Sequence, residues 1–210
     1  RIMLRLEKRP TPSKFWLYAT PPVAVILTMI VGGILFALMG KNPFEVIRTI
    51  FWDPVFGEFA FYLRGQLLVK AGPLILIAIG LALGFKAGIW NIGAEGQYIM
   101  GAICGAAVGL AVYPTESRWI FPAMVLAGAL GGWAWAMIPA ILKTRFNTNE
   151  ILVSLMLVYV AQTILAKAST GFLKNPEGMG FPGSRNFSTY PAASNPEFWP
   201  GSGIHWGVVV

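Results

Sequence analysis

The sequence predicts an all-α protein, a polytopic bundle of transmembrane helices in which one helix is broken. Hydrophobic residues make up 56% of the chain and charged residues only 12%, whereas a soluble domain carries about 25% charged residues. Several apolar runs are long enough to cross a bilayer core of about 30 Å. These runs are continuous and lack the period-two alternation of a membrane barrel. A lipid bilayer is therefore the expected environment.

Five apolar segments have the length of membrane-spanning helices, and a sixth begins near the last residue. The predicted spans lie at about 15–39, 66–85, 92–113, 119–142 and 151–166, and from 204 onward. Residues 1–14 form a basic segment before the first span. Residues 167–203 form a long loop, rich in Pro, Gly, Ser and Asn, that contains no apolar span. We expect both of these segments to lie outside the bilayer.

A mixed segment, residues 41–65, separates the first two spans. Asn42 and Pro43 predict the start of a short amphipathic helix over residues 44–51. Asp53 and Pro54 are expected to end that helix, because proline lacks the N–H that a helix interior needs. This segment is predicted to lie at the membrane surface.

The net charge of +7 does not require a nucleic-acid partner. Basic residues flank the apolar runs, where they meet anionic lipid headgroups. The raw number of basic residues is equal on the two predicted sides. The segments on the side of the N-terminus are shorter, so their basic residues are denser, which places that side in the cytoplasm. Residues 1–14 are then cytoplasmic and the 167–203 loop is external.

The stretch between the second and third spans, residues 84–97, carries the strongest functional signal. It contains four glycines and several polar side chains. Irregular backbone at membrane depth is tolerated only inside protein or beside water, and transporters break helices where a solute passes. We therefore expect this stretch to line a solute path. The candidates here are Trp90, Asn91, Glu95, Gln97 and Tyr98.

Helical spacing would place Asn91, Glu95 and Tyr98 on one face, followed by the small residues Ala102, Gly105 and Gly109. Such a face suits a helix that borders a central path. The alternative for Glu95 is a structural role in the first turn of a helix, where a carboxylate suits the positive end of the dipole.

The fifth span contributes Ser154, Tyr159 and Gln162, which share roughly one side of a helix. Polar groups in a span face either protein or a cavity. Hydrogen bonding between helices is the structural alternative to a solute path here. At the start of this span, Asn147 or Thr148 is predicted as the helix cap, with Glu150 in the first turn as a variant capping box.

The sequence contains no recognisable catalytic or metal-binding set. Cys104 is the only cysteine and His205 the only histidine, and there is no Walker A loop, HExxH or GxSxG motif. We expect a non-enzymatic chain with no metal site and no cofactor of its own. Two rival functions remain open. One is a secondary transporter or channel without an ATPase; the other is a membrane enzyme, which would need clustered His, Asp or Cys.

Residues 83–101, LGFKAGIWNIGAEGQYIMG, and residues 145–159, RFNTNEILVSLMLVY, resemble signatures of one family. The family comprises the permease subunits of bacterial ABC importers for simple sugars, nucleosides and branched-chain amino acids. Its nucleoside-type branch is the most similar. The resemblance implies the bacterial inner membrane, a small polar solute such as a nucleoside or sugar, and a permease that extends into a second half beyond residue 210.

The resemblance also implies the partners of this chain. They are a second permease subunit, identical or different, cytoplasmic subunits that bind ATP and Mg²⁺, and an extracytoplasmic substrate-binding protein. The 167–203 loop is the candidate contact for the binding protein. The ATPase-docking segment of such permeases is expected beyond residue 210.

Overall fold

A computed structural model describes residues 13–198, 204 and 205 of the chain. Most of the predicted basic segment, residues 1–12, lies outside the described residues. The chain divides into two compact units, Arg1–Gly65 and Gln66–Val210. The described residues are helical apart from loops and one isolated β-bridge, so the prediction of an all-α fold is confirmed.

The first unit is built on α1, Lys14–Leu38, which passes through Pro21 and Pro22 without interruption. A turn at Gly40 leads into α2, Pro43–Ile47. The Asn42 side chain caps α2 by accepting a hydrogen bond from the backbone N–H of Phe44 at 3.1 Å. The predicted helix start is thus found at the expected dipeptide.

The predicted helix end at Asp53 and Pro54 is wrong. A π-helical turn, Arg48–Trp52, leads directly into α3, Asp53–Phe56. Pro54 lies in the first turn of α3, where a missing N–H costs nothing and the fixed φ suits a helix. Arg48 also pairs with the Asp53 carboxylate at 3.5 Å. The helical stretch therefore ends at Gly57, where the backbone becomes extended.

Four helices follow. α4, Ala60–Lys86, begins six residues before the predicted second span and includes Pro73. The next three are α5, Ala94–Ala111, α6, Ile120–Phe146, and α7, Glu150–Thr170. α6 and α7 extend about one turn beyond the predicted ends of the fourth and fifth spans. α5 lies between α6 and α7 and packs against both.

Four of these helices, α1, α4, α6 and α7, are long and apolar enough to cross a membrane. α5, which has 18 residues and carries Glu95 and Gln97 in its first turn, is not among them. Its length of about 27 Å falls short of a bilayer core. Short helices of this kind, next to irregular backbone, are characteristic of broken spans.

Small residues set the spacing between α5 and α6. A Cβ atom added at Gly101 would lie 2.9 Å from the carbonyl oxygen of Gly128. Farther along α5, Gly105 and Gly109 are buried against Met124 of α6. The two backbones therefore approach closely, as small-residue stripes allow in membrane proteins.

The loop after α7 folds over the α5–α6 turn. The Tyr190 hydroxyl donates a hydrogen bond to the carbonyl of Thr115, and the Tyr190 ring contacts Tyr113 at a centroid distance of 5.1 Å. The Arg185 guanidinium lies 4.4 Å from the centre of the Tyr113 ring. This loop is thus fixed to the end of α5 that is remote from the break.

The predicted sixth span falls mainly outside the described residues. His205 forms an antiparallel bridge with Glu197, and the backbone N–H of Phe198 donates to the carbonyl of Ile204 at 2.7 Å. Residues 204 and 205 are therefore extended. Residues 206–210 lie outside the described part of the chain.

Candidate functional site

The break between α4 and α5 begins with a helix C-terminal motif around Gly88. Gly88 has a left-handed φ of 75°. The Ile89 N–H donates to the Gly84 carbonyl at 2.9 Å, and the Gly88 N–H donates to the Phe85 carbonyl at 3.1 Å. This pair of bonds is the Schellman arrangement, which satisfies the last carbonyls of a helix. The carbonyls of Gly84 and Phe85 at the end of α4 are thus paired, and residues 87–93 continue as irregular chain.

Ser154 of α7 holds this irregular segment. The Ile92 N–H donates to Ser154 Oγ at 3.2 Å, and Ser154 Oγ donates to the Ile151 carbonyl at 3.1 Å. Ser154 is only 2% exposed. The side chain of Asn91 also serves the backbone, since its Oδ1 accepts from the Gly93 N–H at 2.9 Å. Asn91 and Ser154, both predicted to line the path, therefore hold the irregular backbone in place through hydrogen bonds.

Two glycines bring α5 against α7. A Cβ atom added at Gly93 would lie 2.7 Å from the Ser154 carbonyl oxygen, and one at Gly96 would lie 3.1 Å from Val158 Cα. Val158 is the ninth residue of the 21-residue helix α7, so it lies about 12 Å along a helix about 31 Å long. The irregular segment therefore runs beside the first two turns of α7, within the length of a candidate membrane span.

A cavity of about 280 Å³ adjoins the break. Its apolar walls come from α4 and α6, and its polar groups come from the break, the end of α6 and the start of α7. The polar lining residues are Asn91, Gln97, Lys143, Thr144, Glu150 and Ser154. Three of the predicted path residues thus border one space.

Two further cavities continue from this one along α5. A space of about 370 Å³ is bordered by Asn91, Gln97 and Tyr98, and a groove of about 670 Å³ by Gln97, Tyr98 and Phe187 of the final loop. Gln97 borders all three cavities. The row of cavities therefore follows α5 from the break as far as Ala106.

The remaining candidates border none of these three spaces. Glu95 Oε1 accepts a hydrogen bond from Gln162 Nε2 at 3.1 Å, and both side chains are exposed. Tyr159 is 64% exposed and Trp90 is 54% exposed, with the Trp90 ring 5.0 Å from that of Phe85. The residues predicted to line one path are therefore divided into two groups. Some border the row of cavities, whereas Glu95 and Gln162 form an exposed polar pair.

The predicted face of α5 also needs correction. Asn91 precedes the helix, which begins at Ala94, so it does not share a helical face with Glu95. Gly105 and Gly109 are buried in the contact with α6 and not open to a path. Only Glu95, Tyr98 and Ala102 of the predicted face are exposed.

The predicted cap of α7 is wrong as well. Asn149 is the N-cap, and its Oδ1 accepts from the N–H groups of Ile151 at 3.0 Å and Leu152 at 3.4 Å. Asn147 instead ends α6 in a left-handed conformation with φ 49°. The Thr148 hydroxyl is buried without a hydrogen-bond partner. The N-cap of α7 thus lies two residues later than a capping box from Asn147 to Glu150 would require.

Sequence reasoning missed the partner of Glu150. Lys143 Nζ lies 2.9 Å from Glu150 Oε2, which ties the last turn of α6 to the first turn of α7 beside the cavity. Charged residues on both sides of a short turn were the available signal. Gly93 and Gly96, which flank Glu95, likewise indicated in the sequence that two helices approach closely.

In the described residues, no three His, Cys, Asp or Glu side chains are grouped to hold a metal ion.

Ser154→Ala is expected to destabilise the protein by about 0.5–1.5 kcal/mol, because the Ile92 N–H would lose its hydrogen bond to the buried Ser154 hydroxyl. Thermal unfolding in detergent measures this loss. Ser169→Ala is a matched control, since the Ser169 hydroxyl donates only within its own helix, to the Ala166 carbonyl. Equal melting temperatures for the two variants would contradict the role given to Ser154.

Comparison with known proteins agrees with the resemblance seen in the sequence. The glucose ABC transporter permease protein TsgB13 of Haloferax volcanii is 35% identical over 188 residues, which cover 89% of this chain and 48% of that protein. The guanosine ABC transporter permease protein NupP of Bacillus subtilis is 33% identical over 67% of this chain and 39% of its own length. The nucleoside ABC transporter permease protein NupB of Lactococcus lactis is 29% identical over 140 residues.

The chain spans about half or less of the length of these relatives. No solved structure matches it. A family model described as the permease component of branched-chain amino acid transport systems matches residues 63–199, from the start of α4 to the final loop. With four helices able to span a bilayer, the chain is a multi-pass membrane protein and belongs to this permease family.

Proposed function

We propose that this chain is the membrane-spanning subunit of an ATP-driven importer and forms the translocation path for a small polar solute. The observation that carries the proposal is the row of three cavities along α5. It begins at a polar break that lies within the length of α7 and continues to the final loop. Irregular backbone at such a depth needs a protein or aqueous surrounding.

The proposed orientation places the break on the cytoplasmic side. Two connecting segments are predicted to be cytoplasmic, one before α5 and one between α6 and α7. They meet at the break, through the hydrogen bond from Ile92 to Ser154 and the ion pair of Lys143 with Glu150. The predicted outer segments meet at the other end, through Tyr190 and Thr115. Segments predicted to lie on the same side of the membrane are thus in contact with each other, which supports the proposed orientation. Residues 171–198 would then offer the external surface for a substrate-binding protein.

The proposed partners supply the energy. Cytoplasmic subunits would bind ATP and Mg²⁺, and a second permease subunit, identical or different, would complete the path. The three relatives are all named as ABC transporter permeases, which supports this assembly. Alternating access then follows if ATP binding favours one of two global states. The membrane would be the inner, or plasma, membrane of a bacterium.

A nucleoside or a simple sugar is the proposed solute. Asn91, Gln97 and Tyr98 present amide and hydroxyl groups to the cavities, and such groups both donate and accept hydrogen bonds. Relatives named for glucose, guanosine and nucleosides support neutral, hydroxyl-rich solutes.

Uptake into proteoliposomes tests the proposal. The assembled transporter is expected to accumulate labelled glucose or guanosine only with ATP, and an ATP-binding subunit is expected to co-purify with it. Uptake driven by an ion gradient without ATP would instead favour a secondary transporter, for which a broken helix is equally suitable.

Glu95→Gln is expected to lower the uptake rate more than Glu150→Gln. Glu95 is an exposed carboxylate held only by the Gln162 amide of α7, whereas Glu150, although it borders the first cavity, is occupied by its ion pair with Lys143. Initial uptake rates at equal protein levels measure the difference. Equally small effects of the two variants would show that Glu95 is only a first-turn helix residue.

A further inference from the structure

Glu95 and Gln162 form a contact that neither helix would show alone. They lie 67 residues apart in sequence, on α5 and α7, and share one hydrogen bond of 3.1 Å between Gln162 Nε2 and Glu95 Oε1. Both side chains are exposed in the chain. Among the described residues, no Lys or Arg lies within ion-pairing distance of Glu95. The carboxylate is therefore held by an amide and is not neutralised by a cation.

The position of the pair along α7 is unfavourable for contact with lipid. Gln162 is the thirteenth residue of α7, so it lies about 18 Å from the start of a helix about 31 Å long. Ionisable groups at such depths face protein or a water-filled space, because exposure to hydrocarbon is costly. Tyr159, one turn before Gln162, is 64% exposed and adds a hydroxyl group to this surface.

We propose that Glu95 and Gln162 act as one recognition unit, which accepts neutral solutes that carry hydroxyl groups and rejects anionic ones. Gln162 is the positioning residue and Glu95 the group that touches the solute. This inference rests on the proposed importer function and assigns its selectivity to two named side chains.

The chemistry of the pair accounts for both parts of the selectivity. An ionised carboxylate only accepts hydrogen bonds, and Gln162 occupies one position on Oε1. Oε2 stays available for hydroxyl donors of the solute, and bonds to an ionised acceptor are shorter and stronger than neutral ones. A solute phosphate or carboxylate would meet a like charge that has no Lys or Arg of the described residues within ion-pairing distance, and like charges repel.

Gln162 contributes by fixing where the carboxylate points. Glutamate has several freely rotating bonds, and holding such a side chain in place before binding lowers the entropy cost of binding. Within the part of the chain that the structure describes, the Gln162 side chain makes no other hydrogen bond, so its second N–H and its carbonyl oxygen can bind the same solute. Loss of the amide should thus weaken solute binding while the carboxylate persists.

The test uses the assembled transporter in proteoliposomes and compares three variants with the wild type. Gln162→Leu removes the positioning amide, and Glu95→Gln removes the charge. Thr163→Val is the matched control, because the adjacent Thr163 hydroxyl donates only to the Tyr159 carbonyl of its own helix. The probes are glucose with glucuronate as its anionic analogue, and guanosine with guanosine monophosphate. The affinity of the external receptor for each probe is measured separately.

Gln162→Leu is expected to raise the KM for the neutral solute about tenfold with little change in the maximal uptake rate, as loss of a bond to a charged group predicts. Glu95→Gln is expected to let the anionic analogue compete at least about tenfold better, a change that corresponds to about 1.4 kcal/mol. The control should match the wild type in both measurements.

A purely structural role gives a different result. Both variants would then lower the amount of folded protein or the maximal rate, with KM and anion rejection unchanged, and the inference would be overturned while ATP-driven uptake stands. Absence of ATP-dependent uptake in the wild type would overturn the proposed function, and this inference with it.

Discussion

Gly93→Ala is expected to abolish solute uptake and to destabilise the protein by about 3 kcal/mol, the upper part of the usual cost of overpacking. The new Cβ atom would lie 2.7 Å from the carbonyl oxygen of Ser154 and 2.8 Å from its Cβ. Neither atom can rotate away, since one is backbone and the other is the first side-chain atom. α5 must therefore shift from α7, and the hydrogen bond from Ile92 to Ser154 would be lost.

Thermal unfolding and ATP-dependent uptake together measure this effect. Gly32→Ala serves as the control, because Gly32 lies in α1 and a Cβ there would meet nothing within 4 Å. Alanine in a helix interior is favoured over glycine by up to about 1 kcal/mol, so this control should be neutral or slightly stabilising. Wild-type melting and uptake in Gly93→Ala would show that α5 and α7 are not in close contact.

The helices were predictable because continuous apolar length is read directly from the sequence. Their ends were less predictable, since local signals compete. Pro54 signalled a helix end, yet it lies in a first turn where proline is accommodated. Asn147, Thr148 and Asn149 are all good capping residues. The choice of Asn149 follows from the left-handed conformation of Asn147, which ends α6. That is a property of the turn as a whole.

The site was predicted as a region, and its geometry was not. Composition identified the break because glycine and polar residues stand out between apolar runs. Helical spacing could not tell that Asn91 lies outside α5 or that Glu95 meets Gln162. The second fact depends on the register of two helices far apart in sequence. Gly93 and Gly96 set that register through close contact with α7.

Cysteines introduced at the row of cavities are expected to react with membrane-impermeant thiol reagents. In a Cys104→Ala background, Gln97→Cys and Tyr98→Cys should be labelled, from at least one side of the membrane and in at least one nucleotide state. The reason is that both residues border the cavities, and thiols react as thiolates, which need water to form. Mass spectrometry of the labelled chain measures the extent of reaction.

Two further positions distinguish water from mere exposure. Leu126 on α6 is 65% exposed, and we expect lipid to cover it, so Leu126→Cys should stay unlabelled. Val158 is 6% exposed against Gly96, so Val158→Cys should also stay unlabelled. If Gln97→Cys and Tyr98→Cys are as inert as these two from both sides in every nucleotide state, no water reaches α5. The polar break would then serve only to pack helices, and the solute would have to cross elsewhere.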